Sequence, residues 1–208
     1  MLTRRIQQAG LLLLLTGTLA GCGASRPVKY YALDPGPTPA NPASAPSSLR
    51  ILVARVTAPQ LYRDDRLVFG SGPVELGTYE YERWSAPPAD MLQDALVASL
   101  RASGAYSSVS RVASKVPGDY IVRGHLYALD EVEKPELAAR FTFQLELFDP
   151  RAGTTIWSDS YTHDEPVSGK KPTVADVVEA LDSSVHAGLA QLTSELNQYF
   201  VSHPPQAR

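Results

Sequence analysis

The sequence predicts a single α+β domain: a mainly antiparallel sheet with two helices packed on one face of it. Three observations support this fold class. Residues 120–162 contain three alternating strand patterns joined by short turns, and two other stretches have the apolar spacing of amphipathic helices. The order of the elements is strand, β-hairpin, helix, weak strand, three-strand meander, helix.

The first elements of the domain, which we expect to span residues 49–202, are strands. Residues 50–56 are apolar on both faces, which is typical of an interior strand. Residues 66–69 and 74–81 flank the sequence Gly-Ser-Gly-Pro and predict a β-hairpin. Alternation in the second hairpin strand puts aromatic side chains on one face and acidic ones, among them Glu82, on a solvated face.

A helix is predicted after the hairpin. Pro88 suits the first helical position, where its missing N–H costs nothing, and Asp90 lies in the first turn. Gly104 is the residue expected just past the helix end. The apolar stripe that should pack on the sheet consists of Leu92, Ala95, Leu96, Ser99 and Leu100, with Met91 beside it.

A weak strand over residues 107–113 precedes the meander. The meander strands are expected at 120–132, 140–148 and 154–162. In the second of them, the inward side chains are predicted to be Phe141, Phe143, Leu145 and Leu147. Strict alternation in the first strand places Tyr120, Val122, Leu126 and Ala128 on one face, opposite Ile121, His125, Tyr127 and Leu129.

The last predicted element is a long amphipathic helix. Thr173 is a good N-cap, and Asp176 three residues later gives a capping-box arrangement. The periodic positions are Val174, Val177, Val178, Leu181, Val185, Gly188, Leu189, Leu192, Leu196 and Tyr199. Residues 203–208 are expected to form a loose tail.

The N-terminus has the pattern of a signal segment. Arg4 and Arg5 precede a short leucine-rich run, and Ala20 and Gly21 are the small residues required at a cleavage site. The apolar run is too short to span a bilayer, which takes roughly 20 residues. We therefore assign residues 1–21 as a signal peptide that is removed from the mature chain.

Cys22 extends this interpretation, because Leu-Ala-Gly-Cys after such a run resembles the bacterial lipobox. The resemblance implies cleavage between Gly21 and Cys22 and a covalent lipid on the Cys22 thiol. The alternative is a soluble secreted protein with a free thiol. Cys22 is the single cysteine of the chain and has no partner for a disulfide, so a modification that consumes the thiol is the better explanation. Gly23, where inner-membrane lipoproteins usually carry Asp, favours the outer membrane.

Composition excludes nucleic acid as a partner. The signal peptide holds two of the 19 basic residues and none of the 22 acidic ones, so the mature chain is acidic overall. It has no basic patch or stripe of the kind that binds phosphate backbones.

Residues 22–48 are expected to form a lipidated N-terminus and a tether. Five prolines among residues 34–48 exclude a helix and a central strand there. The stretch before them, residues 28–33, is rich in strand formers. It either pairs with the sheet of the domain or belongs to the tether.

Catalytic motifs are absent from the sequence. It contains no Gly-x-Ser-x-Gly elbow and no complete phosphate-binding loop, and its four histidines are far apart in the sequence. We therefore expect no enzyme activity, no metal and no cofactor other than the covalent lipid. Arg83 and Trp84 could anchor a protein contact, but we favour a structural role for Trp84 at the junction of strand and helix.

The chain resembles the ABC-type transport auxiliary lipoproteins, the family that includes paraquat-inducible protein C. The resemblance covers nearly all of the mature chain. It rests on the lipobox, on Tyr-Tyr-Ala-Leu at 30–33, on Val-Thr-Ala-Pro-Gln-Leu-Tyr-Arg-Asp-Asp-Arg-Leu-Val at 56–68, on Arg-Trp-Ser-Ala-Pro at 83–87 with the helix after it, and on Phe-Gln-Leu-Glu-Leu-Phe at 143–148.

The resemblance implies a docking role without catalysis. Such a lipoprotein would hold the outer-membrane end of an MCE-type protein that bridges the periplasm, in a system with an inner-membrane permease and an ATPase, and it could form a ring of subunits. The positions that match family motifs, and are therefore candidates for partner contact, are Pro59, Leu61, Arg66, Arg83 and Trp84. The competing hypotheses are a lipoprotein that binds lipid or another small amphiphile in its own pocket, and an outer-membrane assembly factor.

Overall fold

The computed structural model describes residues 26–34, 47–71 and 74–204. These residues form one eight-stranded sheet with two long helices on one of its faces. The predicted α+β fold class is therefore confirmed. The predicted signal peptide, Cys22 and most of the proline-rich stretch lie outside the described residues.

The strands are β1 (Lys29–Tyr31), β2 (Ser47–Val53), β3 (Arg66–Gly70), β4 (Leu76–Trp84), β5 (Tyr106–Arg111), β6 (Tyr120–Val132), β7 (Ala138–Asp149) and β8 (Thr154–Pro166). The helices are α1 (Pro88–Ala102) and α2 (Val174–Ser202). Short 3-10 helices occupy Gln60–Tyr62 and Val112–Ser114.

Strand β6 is the centre of the sheet. On one side it pairs with β7, which pairs with β8, and both of these long pairings are antiparallel, as is the β3–β4 hairpin. On its other side β6 pairs in parallel with two strands in succession: β2 near its start, where Ile51 lies opposite Tyr120, and β3 near its end, where Val68 lies opposite Asp130. Strands β5 and β1 add in parallel to β2 and β4.

The ends of both helices agree with the sequence. Pro88 begins α1, and Gly104 lies beyond its end with φ of 63°, a conformation that glycine adopts without strain. A complete capping box begins α2: the Thr173 side chain accepts from the backbone N–H of Asp176, and an Asp176 carboxylate oxygen accepts from the backbone N–H of Thr173 at 2.6 Å.

The core lies between the helices and the sheet. The predicted inward side chains of β7 are fully buried, and so are the leucines that α1 and α2 direct toward them: Phe141, Phe143, Leu145, Leu147, Leu92, Leu96, Leu100, Leu192 and Leu196. A Cβ at Gly188 of α2 would lie 2.6 Å from Tyr161 and 2.9 Å from Phe141. The glycine therefore lets α2 approach the sheet closely.

The faces of β6 differ from the prediction in its second half. A β-bulge at Tyr127 interrupts the pairing between Leu126 and Ala128, and one extra residue shifts every later side chain to the opposite face. Leu129 therefore lies opposite Phe141 on the helix side and is 1 % exposed, whereas Ala128 lies opposite Thr142 on the other side. The strict alternation predicted for Leu129 and Ala128 was wrong.

The N-terminal segment is part of the sheet. Of the two alternatives for residues 28–33, the structure shows the first: β1 pairs with β4, and Leu33 is buried. The backbone N–H of Asp34 donates to the Asp182 carboxylate of α2 at 2.8 Å. Arg26 forms an ion pair with Glu82 at 2.9 Å, and Glu82 is buried. The expectation of a solvated Glu82 was wrong, because the docked segment covers it.

Candidate partner-binding face

The two faces of the β6–β8 meander have different surroundings. Both helices cover one face, and the segment before β3 lies over part of the other. We call this second surface the open face. Its side chains, from the three meander strands, are Arg123, His125, Tyr127, Asp130, Arg140, Gln144, Glu146, Phe148, Ser158 and Asp164.

Hydrogen bonds cross the open face from strand to strand. The Tyr127 hydroxyl donates to the Gln144 side-chain oxygen at 2.7 Å, and the Gln144 amide donates to the Ser158 hydroxyl at 2.8 Å. Arg140 donates two hydrogen bonds, at 2.8 and 2.7 Å, to the Asp164 carboxylate. This guanidinium lowers the pKa of Asp164. These rows of cross-strand hydrogen bonds fix the orientation of the partly exposed side chains on the open face.

The part of the open face near the start of β6, which we call its lower part, combines charged side chains with an aromatic ring. The Arg123 guanidinium lies 3.7 Å from the centre of the Phe148 ring, a cation–π geometry. His125 lies between Thr57, whose hydroxyl is 2.6 Å from Nδ1, and Glu146, whose carboxylate is 3.5 Å from Nε2. This part of the surface presents positive and negative groups side by side, which suits a polar partner surface.

A turn over residues 57–65 packs on the open face through a buried polar pair. The Tyr62 hydroxyl donates to the Asp130 carboxylate at 2.9 Å, and both side chains are buried. Burial raises the pKa of Asp130 and also the pKa of the Tyr62 phenol. Arg83 holds the end of the turn, donating to the Asp65 carboxylate at 2.6 Å.

A groove of about 730 Å³ lies at the upper end of the open face, where β6 ends and β4 begins. Its rim carries three exposed hydrophobic side chains: Val74, Leu76 and Tyr127. Its polar side includes the Tyr62–Asp130 pair, and its remaining lining is Gly70, Ala128, Val132, Lys134, Pro135 and Arg140. An apolar rim over a few oriented polar groups is typical of a binding groove.

The candidate contact residues named from the sequence differ in burial, from fully buried to exposed. Trp84 is 1 % exposed, and its backbone N–H donates to the Asp65 carbonyl at 2.6 Å, in keeping with the structural role favoured for it. Arg83 is half-buried in its ion pair with Asp65. Pro59 and Leu61 lie on the surface of the turn, exposed and half-exposed.

Arg66 lies beside Asp64 at 3.8 Å and opposite Arg83 in the β3–β4 pairing. The motif residues are thus brought together around one turn, and their contact with a partner stays a prediction. Gly21 and Cys22 lie outside the described residues.

Sequence reasoning missed the residues that dominate the open face. Asp130 and Tyr62 come together only in the fold, although an acidic residue within a long apolar strand was a visible signal. Tyr127 was assigned to a face by alternation alone, which does not show that it borders a groove. Arg140 was treated only as the start of a strand.

Two kinds of site are not found in the part of the chain that the structure describes. No group of three or more potential metal-ligating side chains comes together there. Within the same residues, no helix combines the length and apolar character needed to cross a membrane.

Comparison with known proteins gives a family match. The family model described as "ABC-type transport auxiliary lipoprotein component" matches residues 31–197. Among solved structures, protein XCC0632 from Xanthomonas campestris, described with the family model DUF330, is 25% identical with a TM-score of 0.70, over 83% of this chain and 94% of that chain. An uncharacterized protein is 15% identical with a TM-score of 0.60, over 84% and 99% of the two chains.

A PelC dodecamer from Paraburkholderia phytofirmans is more distant, at 15% identity and a TM-score of 0.49, over 75% of this chain and 92% of that chain. A search of curated proteins gives no match.

Proposed function

Because the chain belongs to the ABC-type transport auxiliary lipoprotein family, we propose that it holds a periplasm-bridging MCE-type subunit at the outer membrane. Its family places it in the bacterial cell envelope as an auxiliary component of a transport system. In this proposal the system moves lipid, its permease and ATPase lie in the inner membrane, and this chain has a docking role and no catalytic one. The family match over residues 31–197 is the observation that carries the proposal.

The anchor in this proposal is the lipid on Cys22. The chain has one cysteine, placed where a lipobox ends, and acylation accounts for a thiol that has no disulfide partner. Two or more acyl chains hold a protein at a membrane where one does not, since each buried methylene contributes about 0.8 kcal/mol. The folded part would then face the periplasm.

The open face is the surface that we assign to the partner. Its hydrogen-bonded rows hold polar side chains in fixed positions, so little conformational entropy is lost when a partner binds them. Tyr127 is its most exposed aromatic side chain, at 53 % exposure, and it stands beside the groove. Tyrosine and arginine are enriched among the residues that dominate binding energy, and Arg140 and Arg123 are close by on the same face.

The second candidate function is binding of a lipid or other amphiphile by this domain itself. The groove supports it, because 730 Å³ is in the range of small-molecule sites and the rim is apolar. Co-purification of lipid with the chain would favour this function. Capture of the partner, lost on changing the open face, would favour docking.

The test of docking is a pull-down with the purified MCE-type subunit. We expect Tyr127→Ala to weaken capture by tenfold or more, which corresponds to about 1.4 kcal/mol. Tyr30→Ala is the matched control, because Tyr30 is 65 % exposed on β1 and is not part of the open face. Equal capture by the two variants would remove the open face from the proposal.

A Cys22→Ala variant tests the anchor separately. We expect it to leave the membrane fraction while still binding the partner in solution, because the open face is distant in sequence from the acylation position. Continued sedimentation with membranes in the absence of the partner would show that the thiol does not provide the anchor.

A further inference from the structure

Exposed apolar side chains mark one end of the sheet. Val74, two residues before β4, is 95 % exposed, and Leu76, the first residue of β4, is 52 % exposed. Leu76 lies opposite Gly70 of β3, and Gly70 lies opposite Val132 at the end of β6. We call this end of the molecule, defined by Val74 and Leu76, the apolar tip. Single exposed apolar side chains are common on protein surfaces, but these two lie together at one end of the sheet.

The N-terminal segment points toward the same end. β1 runs parallel to β4 with Lys29 opposite Glu82, so the chain before Lys29 leads back toward the beginning of β4. Arg26, three residues before Lys29, is fixed to the second half of β4 by two contacts. Its guanidinium forms the ion pair with Glu82 and lies 5.2 Å from the centre of the Tyr81 ring.

The length of chain before this segment limits where the lipid can be. Cys22 is seven residues before Lys29, and an extended chain of that length reaches at most about 24 Å. Glu82, opposite Lys29, is six strand residues from Leu76, about 20 Å along β4. The two lengths are similar, so an acylated Cys22 and the apolar tip can lie at the same height along the strands.

We propose that the apolar tip rests in the surface of the bilayer that holds the lipid on Cys22. This inference depends on the anchor that the proposed function assigns to Cys22. The short chain between Cys22 and the docked β1 keeps the domain close to the membrane, where Val74 and Leu76 leave water.

The charges at this end indicate which lipid surface it contacts. Glu75, Glu133 and Glu136 lie at the same end of the sheet as the single lysine of the groove, Lys134. The balance is acidic, which disfavours attraction to an anionic surface. The contact is therefore apolar, suits a zwitterionic phospholipid surface, and has little dependence on salt.

Contact of the apolar tip with the bilayer would also set the orientation of the open face relative to the membrane. With the tip at the bilayer, the strands of the meander stand away from the membrane, and the open face runs along the direction in which a periplasm-bridging partner extends. The opposite end, near Tyr120 and the end of α2, is then about 40 Å further into the periplasm, the length of the twelve steps along β6.

The test places a fluorescent probe at either end of the acylated full-length protein. Acylation consumes Cys22, so a cysteine introduced by Val74→Cys or Val201→Cys is the only free thiol. Val201 is a matched control: it is 80 % exposed, and the ring of its neighbour Phe200 lies 5.3 Å from that of Tyr120 at the far end. Each variant carries an environment-sensitive thiol dye in phosphatidylethanolamine-rich vesicles that contain nitroxide-labelled lipid.

We expect a blue shift and strong loss of emission for the dye at position 74, unchanged by added salt, and neither effect at position 201. Equal emission at the two positions, in protein whose acylated Cys22 is verified by mass spectrometry, would overturn the inference and leave the anchor standing. An unmodified Cys22 would overturn both. A blue shift of the dye at position 74 that requires addition of the MCE-type subunit would assign the tip to a protein contact. That result would also overturn the inference of a bilayer contact. Leu76→Cys repeats the measurement at the first residue of β4.

Discussion

The two faces of strand β7 show how one strand can carry stability and recognition separately. Toward the helices, Phe143 and its neighbours at alternate positions are fully buried in an apolar layer. Toward the open face, Arg140 and Gln144 form ion pairs and hydrogen bonds with neighbouring strands. Burial of one large apolar side chain stabilises by about 1.5–3 kcal/mol. A half-exposed ion pair contributes roughly 0.2–1 kcal/mol. The half-exposed side chains of the open face can therefore change at little cost to the fold.

The largest difference between the faces is expected for Phe143 and its neighbour Gln144. Phe143→Ala removes a buried ring that stacks on Phe141 with centroids 5.8 Å apart, and should lower the free energy of unfolding by about 3–5 kcal/mol. Gln144→Ala should lower it by less than about 1 kcal/mol. Urea unfolding followed by circular dichroism measures both, and similar losses for the two variants would contradict the separation of roles.

The covered face should also resist added volume. Gly188→Ala puts a methyl group 2.6 Å from Tyr161, and we expect a loss of about 1–3 kcal/mol despite the better helix propensity of alanine. Ser183→Ala on the exposed side of α2 serves as the control and should change stability little. The melting temperatures of the two variants give the comparison. A Gly188→Ala protein as stable as the parent would show that α2 can move away from the sheet.

Asp130 should give the open face a pH dependence of unusual sign. Burial raises the pKa of Asp130 in the folded protein above the 3.8 of an ordinary aspartate. The folded state therefore holds this proton more tightly, and the stability it contributes is present below the unfolded pKa and lost as pH rises through the folded pKa. The unfolding free energy of the parent minus that of Asp130→Asn should therefore fall as pH rises from about 4 to 7, because only the parent loses stability when Asp130 ionises. A parent that gains stability relative to Asp130→Asn over this range would contradict the raised pKa of Asp130.

The smallest effect is expected at the exposed ion pair, with the opposite pH sign. Arg140 lowers the pKa of Asp164, so the stability from this pair is present above the unfolded pKa and lost as pH falls through the folded pKa. Both side chains are about two-fifths exposed, and Asp164→Asn should cost only about 0.2–1 kcal/mol, less in high salt. Urea unfolding at pH 7 in low and high salt measures it. A larger, salt-independent loss would show that the pair is effectively buried.

Much of the fold was predictable because its signals are local. The capping box at Thr173, the glycine after α1 and the alternation of β7 each depend on residues within a few positions of one another. The candidate site was less predictable. The sequence marked the turn residues through family motifs, but the groove and the Tyr62–Asp130 pair form between segments 68 residues apart.

The sequence by itself determined the fold class, the order of the elements and the family, since periodicity, caps, turns and motif order are properties of short stretches. The tertiary structure decided the rest. It docked β1 against β4, buried Glu82 against Arg26, and shifted Leu129 into the core through the bulge at Tyr127. The docking of β1 and the burial of Glu82 depend on parallel pairing between segments that are distant in the sequence, which no turn joins, so packing of the whole sheet selects them. The bulge lies between the consecutive strands β6 and β7, and its position is selected by the burial of Leu129 in the core.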